Sequence, residues 1–354
     1  MGRAGLLLAG FILSAGTHSL LACCAVSKSG SAVVNADQTV LIIWNPHTKM
    51  QHFVRKASFK SDTTDIGFLV PSPTKPELSE ADNAVFTSLQ DFTKPEIEYR
   101  DAAQGMSCGC GDVKTAKPVT PAADSAVSVL EQKRVAGYDA SVLSADSGEA
   151  LTDWLKENGY NYSDAVAAWA KPYIDQKWVF TALKIAPKES SPEQGSMSLE
   201  STALRITFAT ELPLFPYREP KSDEQATKLQ KPYRDLSIFF LSDKRYDGAL
   251  GAGESWTGKS VWANELKTDQ ITSLLQHLKL PASALPDKPW LTEFEDRRPY
   301  DKAVSDLQFT VAAKQATLKR DPEIIYRNAA LPGDITVYAL AGVIFWPVIR
   351  RRYR

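Results

Sequence analysis

Four cysteines, Cys23-Cys24 and Cys108-Gly109-Cys110, are the residues of this chain best spaced for covalent chemistry, an adjacent pair and a near-pair separated by a long segment. Bonding inside either cluster strains disulfide geometry, whereas two bridges between the clusters need only neighbouring segments, with two such pairings open. A bridge closing that loop contributes about 4–5 kcal/mol in the chain-entropy picture. Two other readings compete. Leu20-Leu21-Ala22-Cys23 approximates a lipobox, which would lipidate Cys23 and leave three thiols. The thiolates with His47 or His52 would suit a soft metal, but the two histidines lie an odd number of residues apart and face opposite sides of one strand.

Two motif matches invite catalytic readings. Gly105-Met106-Ser107-Cys108-Gly109 has the nucleophile-elbow pattern, with His277 downstream and Asp243 or Asp269 between them in the expected order. That order supports the alternative of an envelope serine hydrolase using Ser107 and His277. Its context is wrong, because no strand leads in, no helix follows, and Cys108 is expected to be bridged. Gly253-Glu254-Ser255-Trp256-Thr257-Gly258-Lys259-Ser260 has the phosphate-loop pattern, yet about ten residues separate it from the upstream strand Leu236 to Leu241. A Gly-rich surface loop accounts for it. Trp256, Trp262 and Trp290 fall in or beside Gly- and Pro-rich segments, where indoles stack on sugars, grip a protein, or close over a core. These tests leave no residue assigned as catalytic, cofactor-binding or metal-ligating. The disulfide candidates Cys23, Cys24, Cys108 and Cys110 remain as the named sites, and no cofactor is expected.

The elements that position these residues begin at the two ends. Met1-Gly2-Arg3, the apolar run Leu6 to Leu13 and Ala22 before Cys23 have the layout of a secretory signal over 1–22. Ile335 to Ile349 is a second apolar run, stopped by Arg350, Arg351, Arg352 and Arg354. At the helical rise its fifteen or so residues cover roughly 22 Å against a hydrocarbon core of about 30 Å, so it is short for a span. Snorkelling arginines and Trp346 lengthen its reach, and the basic tail belongs on the cytoplasmic side. The expected order is a signal peptide 1–22, an N-terminal half 23–116, a C-terminal half 127–325, a transmembrane anchor 335–349 and a cytoplasmic tail 350–354. The bulk of the chain then faces out of the cytoplasm on a single-pass anchor. Without Arg3 and the four terminal arginines, 36 of the 41 basic residues face 42 acidic ones, about −6 for the exported part, which argues against a nucleic-acid partner.

Between the ends, Val40 to Trp44 reads as a strand, Asn45-Pro46-His47 as a turn and Met50 to Phe59 as the returning strand. Ile66 to Val70 is a third strand and Asp82 to Phe92 a helix. The Pro/Ala/Thr-rich stretch Lys117 to Ala126 marks a boundary. Beyond it, Val127 to Leu130 and Tyr138 to Leu143 read as strands, and Asp146 with Glu149 as a helix cap for the stripe Leu151, Trp154 and Leu155, which Gly159 ends. A second helix, Asp164 to Ile174, is disturbed at Pro172. Trp178 to Ile185, the alternating Leu204, Ile206 and Phe208, and Leu236 to Leu241 are expected to join one antiparallel sheet, and Ile271, Leu274, Leu275 and Leu278 make a helical stripe.

Five segments, Val33 to Gln38, Gly67 to Pro73, Val135 to Asp139, Trp154 to Tyr160 and Leu204 to Thr210, together resemble the exported bacterial family catalogued as domain of unknown function 2330. The resemblance implies a bacterial envelope setting and a C-terminal anchor, and it implies no reaction or catalytic residue. The fold expected is α+β, mostly antiparallel sheets with packed helices in two sheet-containing halves, plus the C-terminal membrane segment. The expected role is non-catalytic binding or scaffolding in the cell envelope. Its partners are the lipid bilayer, through the C-terminal segment, and an envelope protein or glycan. Non-reducing mass mapping of the exported protein should find peptides of the Cys23-Cys24 and Cys108-Cys110 clusters joined. Four free thiols would overturn the bridging.

Overall fold

The apolar run Val40 to Trp44 has no polar face, which is the pattern of a strand covered on both sides. In the computed structural model it lies in the strand Gln38–Asn45, near the middle of a seven-stranded sheet. In spatial order that sheet is Lys259–Glu265, Trp290–Arg298, Arg234–Ser242, Gln38–Asn45, Met50–Arg55, Ala203–Ala209 and Glu77–Ala81. Every neighbouring pair is antiparallel except Arg234–Ser242 with Gln38–Asn45, which run parallel with Phe239 opposite Leu41. The structure describes residues 25–27, 34–35, 38–56, 58–61, 66–102, 127–160, 165–185, 197–200, 202–218, 220, 234–251, 255–298 and 305–328. The four cysteines, Ser107 and both terminal apolar runs lie outside them.

A five-stranded antiparallel sheet packs on one face of the larger one, in the order Ala25–Ser27, Ile66–Ser72, Val179–Ile185, Tyr138–Ser144 and Ser128–Val135. Val40, Ile42, Phe53, Ile206 and Phe240 of the first sheet share one core with Phe68, Val70, Tyr138, Val142 and Leu183 of the second. Each outer face is covered by a helix pair. Leu41, Ile43, Val54 and Phe239 meet the helices Ala84–Thr93 and Thr268–Leu278, and Leu69, Leu143 and Phe180 meet Gly148–Glu157 and Ala165–Asp175. The result is four layers, helices, sheet, sheet, helices. A central strand such as Gln38–Asn45 therefore carries apolar side chains toward both layers over Val40 to Trp44.

Three smaller sheets complete the described residues. Leu214–Phe215, Leu307–Val311 and Tyr246–Leu250 close one end of the shared core with Phe215, Tyr246 and Phe309. Met197–Glu200, Ser58–Ser61 and Val34–Asn35 form another. The chain divides into two compact units, Met1–Thr93 with Val113–Lys319, and Lys94–Asp112 with Arg320–Arg354. In the second unit Ile97–Ala102 and Glu323–Asn328 make a two-stranded parallel ribbon.

The α+β class and its mainly antiparallel pairing agree with the sequence reading; several details differ. Strands from both sides of the Lys117 to Ala126 stretch enter each large sheet, because Ile66–Ser72 pairs with Val179–Ile185 and Met50–Arg55 with Ala203–Ala209. The strands after that stretch do not share one sheet. Val179–Ile185 belongs to the five-stranded sheet, Ala203–Ala209 and Arg234–Ser242 to the seven-stranded one. The expected strand Met50 to Phe59 stops at Arg55, and Ser58–Ser61 pairs elsewhere. Ser147 rather than Asp146 caps its helix, its hydroxyl accepting the Ala150 N–H at 3.1 Å. Among the described residues, no helix is long and apolar enough to cross a membrane.

Because Ile42 and Ile43 point to opposite layers and are both fully buried, Ile42→Ala and Ile43→Ala should each lower unfolding stability by about 2–5 kcal/mol in denaturant titrations. A near-neutral result for either would remove one of the covering layers.

Candidate functional site

The motif residues inside the described region have structural neighbours. Lys259 and Ser260 open the strand Lys259–Glu265, where a phosphate loop would open a helix. Thr257 gives its hydroxyl to Asp296 at 2.7 Å, and Trp256 packs on Phe294 and over Gly248 and Gly258, where a Cβ would meet the indole. Trp262 is buried in the helix-covered layer. His277, the histidine of the hydrolase alternative, ends the helix Thr268–Leu278. Its carbonyl accepts the Asp82 N–H at 2.8 Å and its ring lies 3.5 Å from the Asp82 carboxylate. Asp243 accepts hydrogen bonds from Ser242 and Tyr246 instead. His47 is exposed in the turn after Asn45, while His52 is buried on the sheet, so the two share no site.

Sequence reasoning named His52 only as a candidate metal ligand and missed the buried polar partnerships inside the fold. His52 hydrogen-bonds Thr207 across the strand pair at 2.8 Å, and burial, then the Arg205 charge, lowers its pKa to about 4. Arg205 itself donates to the Leu278 carbonyl, one of the acceptors left open at that helix end. Asp306 accepts from the Tyr173 hydroxyl at 2.8 Å and from the Tyr217 and Arg218 N–H groups at 3.0 and 3.1 Å. Burial still raises its pKa, against the lowering effect of those donors. Tyr217 donates its hydroxyl to Asp296, so one residue ties both carboxylates. The partners are far apart in sequence, and no local pattern marks them.

An open groove of about 700 Å³ runs along the helix pair Gly148–Glu157 and Ala165–Asp175. Gly148 lets the helices approach. A Cβ there would come within 2.7 Å of the Ala167 carbonyl oxygen. Asp146, Glu149, Asp153 and Asp175 line the groove against Lys156 and Lys171, so carboxylates outnumber ammonium groups. Lys171 is held by both oxygens of Asp175 at 2.8 Å. The carboxyl of Glu149 sits below the usual range because its own N–H and the Ser147 hydroxyl donate to it. The tryptophans of these helices, Trp154 and Trp169, point the other way, into the layer beneath. Such a surface suits a cationic segment better than a stacking sugar.

Among the described residues, no group of three or more His, Cys, Asp or Glu side chains is arranged to hold a metal ion. Residues 18–307 match the protein-family model DUF2330, described as an uncharacterized protein conserved in bacteria. No curated protein and no solved structure matches the chain.

The His52 site gives the fold an acid sensitivity of defined sign. Its folded pKa lies below the unfolded value of 6.5, so the unfolded chain binds the proton more readily between pH 6.5 and 4. That stability is fully present above pH 6.5 and is lost as pH falls toward 4, by at most about 3 kcal/mol. His52→Gln should flatten the stability slope over that window in urea titrations. An unchanged slope would show that His52 does not carry it.

Proposed function

The chain belongs to the DUF2330 family of uncharacterized proteins conserved in bacteria, and on that premise we propose that it is a membrane-anchored, extracytoplasmic protein that binds or scaffolds a protein partner in the bacterial envelope. Support for the anchor comes from the residues at the two ends. Leu6 to Leu13 follows a basic start as export signals do, and Ile335 to Ile349 runs into four arginines as a stop-transfer segment does. With the arginines in the cytoplasm, the intervening chain lies outside, where bridging of the cysteine clusters is favoured.

The observation that carries the binding role is the groove between the helices Gly148–Glu157 and Ala165–Asp175. Its backbone is fixed from below. Leu151, Leu155, Val166 and Ala170 bury their side chains against the five-stranded sheet, so a partner meets a preformed surface with little ordering cost. Its excess of carboxylates favours a basic segment and speeds encounter with one. Glycan recognition leans on exposed aromatic faces, and the groove presents none among its lining residues.

Two measurements test the parts separately. A periplasmic-type reporter fused after Lys302 should be active outside the cytoplasm, and activity confined to the cytosol would overturn the anchored topology. A benzophenone amino acid replacing Asp153 in the full chain should cross-link an envelope protein in living cells. The cross-link should fall several-fold when Asp146→Lys and Asp175→Lys reverse the lining charge. Cross-linking no stronger than from exposed Lys314, or indifferent to the reversal, would remove the groove as the binding surface.

A further inference from the structure

An open strand edge is a template for another strand, and three of the four edges of the two large sheets are short or covered. Lys259–Glu265, at one end of the seven-stranded sheet, is bridged at Ala263 by Leu318, which exchanges N–H to carbonyl bonds with it at 2.9 and 2.8 Å. At the other end, Glu77–Ala81 has its Leu78 carbonyl taken by the Lys133 ammonium at 2.9 Å. Ala25–Ser27, on the five-stranded sheet, spans three residues. Ser128–Val135 differs. It ends the five-stranded sheet with eight residues, and Val129 and Leu130 on it are each 40% exposed. Charged side chains along an edge ordinarily discourage a second strand, but these turn back on their own chain. Lys133 reaches Leu78, Glu131 pairs with Lys75 at 3.0 Å, and Arg134 lies 3.5 Å from Asp139.

The hairpin to which this strand belongs decides which groups face outward. Val135 and Tyr138 flank the two-residue turn Ala136-Gly137, and the closing pair of such a turn exchanges hydrogen bonds. Bonded pairs alternate, so Val135, Lys133 and Glu131 bond to the strand Tyr138–Ser144, and Gln132 turns its N–H and C=O away from the sheet. A two-fold axis through Gln132 lets that residue exchange both bonds with its counterpart in a second copy. The same register sets Glu131 of each copy directly opposite Lys133 of the other, in pairs whose side chains lie close. Leu130 falls opposite Arg134, whose aliphatic stem can cover it. An axis at Glu131 or Lys133 instead falls on a residue bonded inward and loses both charge pairs. We propose that Ser128–Val135 is a dimerisation edge, joining two copies of this chain antiparallel about Gln132 so that their five-stranded sheets form one continuous sheet.

Sedimentation of the full chain in detergent should show a monomer–dimer equilibrium. Glu131→Lys or Lys133→Glu alone sets like charges opposite each other and should raise the dimer dissociation constant several-fold. The two together restore opposite charges in the same register and should bring the constant back. Gln132→Pro removes the central outward N–H, costs the hairpin no hydrogen bond, and should leave a monomer with the circular dichroism of the parent chain. A chain that stays monomeric at every concentration, a dimer indifferent to Gln132→Pro, or a double exchange that fails to recover would overturn the inference. A benzophenone amino acid at position 132 then identifies the occupant in cells. Cross-links between two copies are expected, and adducts confined to another protein or to residues 103–126 of the same chain would overturn it as well. None of these outcomes bears on the groove, whose lining contains no residue of this strand.

Discussion

Two sheets share a single interior, and the rest of the architecture follows from the burial this imposes on their central strands. Gln38–Asn45 has Val40, Ile42 and Trp44 facing the second sheet and Leu41 and Ile43 facing helices. A sheet buried on one side needs alternate apolar residues; a sheet buried on both needs them throughout. Aromatic rings fill the space between the layers, Phe240 stacked on Phe309 at 4.4 Å and Phe68 edge-on to Tyr138 at 5.5 Å. The outer faces would expose Phe239, Leu241 and Phe180 if the helix pairs were absent, so those helices are a condition of the sheets rather than an addition to them.

Several polar groups within this interior are tied to specific partners, where an unbonded buried group would cost about 1–3 kcal/mol. The Gln51 side chain donates to the Leu214 carbonyl and accepts its N–H, fixing the end of the three-stranded sheet to the large one. Glu80, on the edge strand of the large sheet, accepts the Ala136 N–H in the turn of a hairpin from the smaller sheet. Ala136 and Gly137 both have positive φ, the two-residue turn whose twist matches the strands it joins. Tyr217, Asp296 and Asp306 bind the far end, with the Trp169 indole donating to the Arg218 carbonyl. These ties lock the layers in register, and through Trp169 and Tyr173 they reach the helix that forms one wall of the groove.

Local physics was legible in the residues. The apolar run at Val40 to Trp44, the alternation at Leu204, Ile206 and Phe208, and the stripe through Leu274 and Leu278 each marked the correct element type. Gly159, at φ 77, ends its helix as its position suggests, with the Tyr160 N–H returning to the Leu155 carbonyl. What the residues did not carry was pairing. Arg234–Ser242 lies beside Gln38–Asn45 across nearly two hundred residues, and two apolar strands specify burial without naming a neighbour. The cap passed from Asp146 to Ser147 because either side chain satisfies the same local rule. The groove was invisible for a related reason. It depends on Gly148 meeting Ala167, two small residues on separate helices that composition treats as unremarkable.

The segments that carry the family resemblance meet one another in the fold. Tyr160 covers Gly67, where a Cβ would come within 2.5 Å of its ring, and Trp154 packs beside Tyr160 with centroids 6.2 Å apart. Arg205 and Thr207 of another such segment hold a helix end and His52. These contacts join strand to helix and layer to layer, so the segments that carry the resemblance are the ones that assemble the sandwich. Of the groove's lining only Lys156 belongs to those segments, while its carboxylates Asp146, Glu149, Asp153 and Asp175 lie outside them. Exposed carboxylates on a rigid helix pair exchange at little cost in stability, whereas Gly67 or Tyr160 cannot change without moving a layer.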